Sequence, residues 1–249
     1  MASNTLPKRA LIAFTSEFTD KFYANGDTTG LYYTEVSHPI AVFHELGYAV
    51  DFVSETGKAG FDPHSVAAPA LNEEELKAYN SYSDKFALRD AVENNRIQKA
   101  SEVDSSAYSV FFAAGGHGAC YDFPKASGLH KIADEIYQRG GVVSAVCHGP
   151  LIFANLKNST TGEYLIKDHK VTGFTDEGED IIGVTESMKA RNFKTCKTVA
   201  EEQGGVYVSP KGPWDDFSIA DGRIVTGANP FSAHSSAKLA VETVEKNRK

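Results

Sequence analysis

Two short apolar segments with a helical segment between them place the strongest constraint on what this chain can fold into. Tyr108–Gly116 ("YSVFFAAGG") and Gly141–Cys147 ("GVVSAVC") are almost continuously apolar, and residues 125–141 between them have a helical pattern. Continuous apolar runs are typical of parallel strands that are covered on both faces. The sequence therefore predicts a βαβ unit here.

The same alternation is present nearer the N-terminus. Arg9–Thr15 predicts a first strand and Tyr48–Ser54 a second, with an amphipathic helix over Tyr33–Gly47 between them. Pro39 predicts a kink or a restart in that helix, because proline lacks the N–H that a helix interior needs. The fold class that follows is α/β, a doubly wound and mostly parallel sheet sandwiched by helices.

The rest of the chain adds peripheral elements to this plan. Residues 55–107 are polar and helix-prone, which predicts a small helical cap insertion. Glu163–Phe174 and Asp216–Gly227 predict hairpins, the second turning at Asp221-Gly222, and residues 228–247 predict a closing helix. We expect residues 1–249 to form a single domain with the cap inserted at about 55–107.

Charge and cysteine content exclude several classes of protein. Lys and Arg number 25 and Asp and Glu 33, for a net charge of −8, and no dense basic stretch offsets it, so nucleic acid and anionic membranes are unsuitable partners. No apolar run approaches the ~18 residues that cross a membrane. The 3 cysteines are widely spaced and indicate free thiols in a reducing compartment.

Unusual residues follow two strands of the predicted βαβ unit. Gly115–Gly118 ("GGHG") follows the first, and Cys147–Pro150 ("CHGP") ends the second. Ligands in open α/β sheets bind beyond the carboxyl ends of the strands, so we expect both segments at one site. A strand-to-helix turn would present Cys147 as a nucleophile, and a helix N-terminus after it would favour the thiolate. The alternative, a cysteine buried in the core, stays open on these observations.

Other candidate features are weaker. Glycine spacing does not match a dinucleotide site, and the Cys and His spacing does not match a metal site. Taken alone, Glu35 is a solvated charge, Cys120 and Cys196 are bystanders, and Trp214 is a packing residue. The residues by themselves thus predict an α/β domain with a candidate thiol nucleophile, and they leave the substrate open.

Longer motifs add a family resemblance. "AVCHGP", "GGHG" and "VTGFTDEGEDIIGV" resemble the ThiJ/PfpI superfamily, which includes the parkinsonism-linked protein deglycase. "DFVSETGKAGFDPHS" and "GPWDDFSIADGRIVTGANPFSAHS" are more similar to its fungal glutathione-independent glyoxalase III branch, whose members are also described as stress chaperones. The resemblance covers residues from about 9 to about 240 and implies a flavodoxin-like fold in a homodimer.

The resemblance also assigns roles to residues. It implies that Cys147 is the nucleophile, that His148 is its histidine partner and that Glu179 orients this histidine. It also implies that Glu35 lies beside the thiol. The backbone N–H groups of Gly116 and His148 are the implied donors to an oxyanion. Glu177 and Asp176 compete with Glu179, but the motif places the carboxylate directly after Gly178. We expect a thiolate at Cys147 with a protonated Glu35 beside it.

The implied activity converts methylglyoxal and water to lactate without glutathione, metal, nucleotide or other cofactor. The expected partners are a small 2-oxoaldehyde substrate, a second copy of the chain and unfolded-protein clients, in the cytoplasm and also the nucleus. A departure from the branch lies in "LYYTEVSHP", where Tyr32 and Tyr33 replace expected aliphatic or phenylalanine residues. Two alternatives remain: a holding chaperone that uses an apolar patch, and a cysteine-based redox sensor.

Overall fold

The computed structural model describes residues 6–83 and 85–248. Its strands are β1 (Arg9–Phe14), β2 (Ala49–Ser54), β3 (Gln98–Lys99), β4 (Val110–Ala113), β5 (Val142–Val146), β6 (Lys170–Val171), β7 (Val206–Tyr207), β8 (Ser218–Asp221) and β9 (Ile224–Gly227). Its α-helices are α1 (Thr34–Glu45), α2 (Glu73–Asn80), α3 (Leu88–Glu93), α4 (Ala119–Asp122), α5 (Ser127–Gln138), α6 (Asp176–Ile181), α7 (Thr185–Ala190), α8 (Cys196–Glu202) and α9 (Ala233–Asn247).

The main sheet has the order β3-β2-β1-β4-β5-β9-β8, and its strands run parallel except where β8 pairs antiparallel with β9. Within it, β2-β1-β4-β5-β9 reproduces the 2-1-3-4-5 order of flavodoxin-like sheets. Helices flank the sheet: α1 and α9 pack together, and α5 packs over β4 and β5. The predicted α/β fold class is therefore confirmed.

The centre of the sheet is apolar on both faces, as the continuous runs predict. Every residue of β4 and β5 is buried, as are the residues of β1 after Arg9. The parallel register pairs Val110 with Val142 and Ala113 with Ala145. The strand ends that precede Gly115 and Cys147 are consequently neighbours.

Two local predictions differ from the structure. The helix does not restart at Pro39, because this buried residue lies inside a continuous α1 that packs against β2 and α9; a kink there stays a prediction. Residues 163–174 do not form a hairpin, because β6 pairs in parallel with the distant β7, and the crossover between them contains α6, α7 and α8. The hairpin over residues 216–227 is confirmed by the antiparallel pairing of Asp221 with Ile224.

The segment between β2 and β4 contains α2 and α3 and also β3, which extends the main sheet beyond β2. We propose that the chain is one domain, because the first and last long helices, α1 and α9, pack together against a single sheet. Across the described residues, no helix is long and apolar enough to cross a membrane.

Candidate functional site

The site lies where the strand order of the sheet reverses. The chain after β1 returns beside it as β2, whereas β4 and β5 lie on the other side of β1. The crevice beyond the carboxyl ends at such a point is where doubly wound folds bind ligands. Gly115 follows β4, Cys147 follows β5, and Glu35 occupies the first turn of α1. These elements bring the predicted residues together.

Cys147 occupies a sharp, constrained turn directly after β5. Its φ is +59°, in the left-handed region that residues other than glycine rarely adopt. Its N–H donates to the carbonyl of Gly227 at 3.0 Å, and its carbonyl accepts from the Phe174 N–H at 2.8 Å and from the Cys196 thiol at 3.3 Å. These contacts hold the backbone conformation that presents a side chain at the end of the sheet.

His148 connects the thiol to a carboxylate. Its Nδ1 lies 3.4 Å from the Cys147 Sγ, and its Nε2 lies 2.7 Å from Oε1 of Glu179. Glu179 is 3% exposed in α6, whereas Glu177 on the same helix is exposed to solvent. Residues two apart on a helix face different directions, so only one of these carboxylates can reach His148. The geometry selects Glu179.

His117 is a member of this cluster that the sequence analysis did not assign. Its Nε2 lies 2.9 Å from Oε2 of Glu179, and its ring centroid is 4.0 Å from that of His148. The ring also stacks on Phe22, with centroids 4.7 Å apart. The signal was present in "GGHG", because the residues after β4 and after β5 were expected at one place. The contact with Glu179, however, joins residues 62 positions apart.

The carboxylate determines which nitrogen of His148 carries the proton. Burial opposes ionisation of Glu179, but His148 and His117 together hold its pKa well below the ordinary value. A carboxylate only accepts hydrogen bonds, so each histidine donates from Nε2. The Nδ1 of a neutral His148 is then an acceptor that faces the thiol. Burial, followed by the neighbouring His117, lowers the pKa of His148 and favours this neutral form.

The same three side chains have the composition of a metal site. Ligand atoms of His117, His148 and Glu179 all lie within 4.8 Å of one another. Bonds of about 2.0–2.1 Å in a tetrahedral zinc site place ligand atoms about 3.3 Å apart. The separations of 2.7 and 2.9 Å found here are shorter and fit hydrogen bonds better than a shared ion.

Glu35 lies beside the thiol of Cys147. It is 0% exposed, and its Oε2 accepts from the Gly115 N–H at 2.7 Å. Its Oε1 has no partner with normal hydrogen-bond geometry among the described residues. Burial raises the pKa of Glu35 to about 8, against the opposing effects of Cys147 and the Gly115 N–H. A protonated Glu35 at neutral pH agrees with the sequence prediction.

The prediction of a resting thiolate is wrong. Burial raises the pKa of Cys147 well above its ordinary value, and Glu35 raises it further once that carboxyl ionises above about pH 8. The segment after the turn is a five-residue 3₁₀-helix, Gly149–Phe153, which offers little of the dipole of a long α-helix. The thiol therefore needs a base to lose its proton, and Nδ1 of His148 is in position for that transfer.

A cavity of about 200 Å³ opens over Cys147. It is smaller than the pockets of about 300–1,000 Å³ that hold drug-sized ligands, so it suits a molecule of few atoms. Aromatic rings, imidazoles and backbone line it, contributed by Tyr23, Tyr32, His64, Gly116, His117, Cys147, His148, Phe174, Ile182, Trp214 and Pro230. Cys120 and Cys196 are buried outside this lining.

Backbone N–H groups are available beside the thiol because Gly115 and Gly116 let two segments approach closely. A Cβ at Gly115 would lie 2.6 Å from the backbone nitrogen of His148. A Cβ at Gly116, where φ is +95°, would lie 2.2 Å from the carbonyl oxygen of Gly30. In the part of the chain that the structure describes, the N–H groups of Gly116 and His148 donate no hydrogen bond. Both line the cavity, so a bound oxygen could accept from them.

Comparisons with known proteins give matches over nearly the whole chain. The sequence profile of the DJ-1/PfpI family matches residues 28–243. "Glyoxalase 3" of Candida albicans is 47% identical over 239 residues, which cover 96% of this chain and 99% of that protein. "Glutathione-independent glyoxalase HSP31" of Saccharomyces cerevisiae is 46% identical over 239 residues, with 96% of this chain and 99% of that protein covered.

The fold agrees at the same level. The crystal structure of glyoxalase III from Candida albicans superimposes with a TM-score of 0.88 at 47% identity, covering 94% of this chain and 96% of that one. Sequence and overall fold therefore both match over more than nine tenths of each chain. The chain belongs to the DJ-1/PfpI family, in the part of it that contains the fungal glutathione-independent glyoxalases.

Proposed function

We propose that this protein is a glutathione-independent glyoxalase that converts methylglyoxal and water to lactate. The observation that carries the proposal is the thiol of Cys147 between two proton carriers, His148 at 3.4 Å and the buried Glu35, in a cavity of small-molecule size. The names of the two fungal relatives described above support the same activity. The reaction needs a nucleophile, an oxyanion site and a pair of acid/base groups, and each has a candidate here.

The first step is addition of sulfur to the aldehyde. Sγ of Cys147 bonds to the aldehyde carbon C1 as its proton moves to Nδ1 of His148. Glu179 stabilises the resulting imidazolium and keeps the ring oriented. The charge that develops on the aldehyde oxygen O1 is met by the N–H groups of Gly116 and His148. Return of the proton to O1 completes a hemithioacetal.

The second step moves hydrogen from C1 to C2. One carrier removes the C1 hydrogen as a proton while the oxygen on C2, O2, gains a proton, which gives an enediol. A proton is then delivered to C2 while O1 loses its proton, which gives the thioester. Glu35 and His148 are the carriers, and a pKa of about 8 suits Glu35 to exchange protons near neutral pH. The oxidation of C1 is balanced by the reduction of C2, so no electron acceptor enters.

The third step releases the product. Neutral His148 takes a proton from water as the water oxygen attacks the thioester carbon. The same N–H donors stabilise the oxyanion again, and the C1–S bond breaks. His148 returns a proton to the leaving sulfur. Lactate leaves and the free thiol of Cys147 is restored.

The test is incubation of the purified protein with methylglyoxal in buffer free of thiols, followed by chiral analysis of lactate. We expect lactate from the wild type, and none above background from Cys147→Ser, which keeps the size of the side chain. Lactate formation that required added glutathione would contradict the proposal. So would formation at equal rates by the wild type and Cys147→Ser.

We further propose that the protein acts in the cytoplasm and nucleus as a homodimer and has unfolded-protein clients, as the resemblance implies. Exposed apolar side chains support a surface that contacts unfolded clients or a second copy of the chain. They include Ile181, which is 57% exposed, and Phe231, which is 65% exposed. A Cys147→Ala protein that still suppresses aggregation of a denatured client would separate this role from turnover. Light scattering after gel filtration measures the oligomeric state.

A further inference from the structure

Tyr32 lines the cavity, and among the described residues its hydroxyl has no hydrogen-bond acceptor. Tyr32 is half-buried and lines the cavity together with Cys147. Within residues 6–83 and 85–248 its hydroxyl makes no hydrogen bond. The other hydroxyl of the lining belongs to Tyr23 and donates to Asp62 at 2.6 Å. The two tyrosines differ, since only Tyr32 keeps its donor available for a bound molecule.

The backbone fixes the position of Tyr32 relative to the thiol. Its N–H donates to the Gly115 carbonyl at 3.2 Å, and its carbonyl accepts from the Glu35 N–H at 3.1 Å. Burial raises the pKa of the phenol, and the charges of Glu35, Cys147 and Asp62 raise it further. The phenol thus stays protonated across the physiological range and lies within electrostatic reach of the reacting groups. It can donate a hydrogen bond but does not give up its proton.

The proposed reaction leaves one substrate oxygen without a partner. O1 is held by the N–H groups of Gly116 and His148, but O2 must also be held while the enediol forms. We propose that the Tyr32 hydroxyl donates a hydrogen bond to O2 of the 2-oxoaldehyde and so fixes which face of C2 receives the proton. This inference rests on the glyoxalase function proposed above.

The stereochemical consequence follows from rotation about one bond. In the hemithioacetal the C1–C2 bond is single, so the ketone can turn either face toward the proton carriers. Once the enediol forms, the double bond fixes the choice. A donor on O2 selects one rotamer before that point. The hydroxyl therefore affects both the rate and the enantiomer of the lactate that is produced.

The experiment compares Tyr32→Phe with the matched control Tyr33→Phe. Tyr33 is the neighbouring residue, is buried against the rings of Phe61 and Tyr79 and lies outside the cavity lining. For Tyr32→Phe we expect a fall in kcat for methylglyoxal of about tenfold, the upper end of what a hydrogen bond between neutral groups contributes. We also expect a nearly unchanged KM and a lower enantiomeric purity of lactate. Tyr33→Phe should retain the wild-type enantiomeric purity.

Three outcomes would overturn the inference. A Tyr32→Phe protein with the kcat and enantiomeric purity of the wild type would overturn it and leave the proposed function intact. An equal loss of enantiomeric purity in Tyr33→Phe would show that both substitutions act by loosening α1, which would overturn the inference. Absence of lactate from the wild type would overturn the proposed function and this inference together.

Discussion

Replacing Glu179 by glutamine tests the carboxylate that joins the two histidines. Glu179 accepts hydrogen bonds at 2.7 Å from His148 and at 2.9 Å from His117, one on each oxygen. Glutamine offers one oxygen and one NH₂ group at the same positions. If the NH₂ group faces His148, the ring must carry its proton on Nδ1, which then faces the thiol and cannot accept from it. If the oxygen faces His148, the tautomer survives but the negative charge that stabilises the imidazolium is lost.

Both orientations weaken the first step of the reaction. Loss of an orienting carboxylate in a comparable relay lowers kcat by about 10⁴, and we expect about 10²–10⁴ here because one of the two orientations keeps the tautomer. At 1.36 kcal/mol for each tenfold change, this corresponds to about 2.7–5.4 kcal/mol of transition-state stabilisation. The rate of Cys147 alkylation by iodoacetamide near pH 7 should fall as well, because it depends on the same proton transfer.

The assay is lactate formation at saturating methylglyoxal, with Glu177→Gln as the control. Glu177 lies on the same helix and carries the same charge, but it is exposed. We expect Glu177→Gln to keep the wild-type kcat. Thermal unfolding of each variant confirms that it is folded. A mild Glu179→Gln effect beside a damaging Glu177→Gln effect would refute the reasoning, as would unchanged alkylation of Cys147 in Glu179→Gln.

Three further predictions concern the same site. The pKa of Glu35 is raised from 4.5 to about 8, so its contribution to stability is full below about pH 4.5 and is lost as pH rises through about 8. Between pH 5 and pH 8.5 the free energy of unfolding of the wild type should fall by up to about 5 kcal/mol more than that of Glu35→Gln. Urea unfolding that gave the same fall for both proteins would contradict this. Gly116→Ala should lose more stability than Gly140→Ala and should also lose turnover. Both glycines have positive φ, but of the two only Gly116 would place its Cβ against backbone, 2.2 Å from the Gly30 carbonyl oxygen. Equal losses of stability in urea unfolding would argue against this. Dilute peroxide should modify Cys147 before the other cysteines, since Cys147 alone among them lines the cavity over the site, and peptide mass spectrometry that found another cysteine modified first would rule this out.

Elements with a local signal could be predicted from the amino-acid sequence alone. The apolar runs predicted β4 and β5, because strands buried on both faces of a parallel sheet must be apolar throughout. The glycines before His117 and the cysteine at the end of β5 predicted a site at one edge of the sheet. The resemblance of "DEGED" to a family motif named Glu179, although periodicity alone could not separate it from Glu177.

Features that depend on contacts between distant residues could be found only in the folded structure. His117 reaches Glu179 across 62 positions of sequence, and β6 pairs in parallel with the distant β7 rather than forming a hairpin with the segment directly before it. A helix N-terminus, backbone N–H donors and a protonated Glu35 predicted a thiolate at Cys147, but none of these local features reports the depth of burial. Burial raises the pKa of that thiol, and the extent of burial is a sum over segments that folding brings together. A local sequence pattern specifies which atoms are present, whereas the fold determines which of them share a water-excluded space.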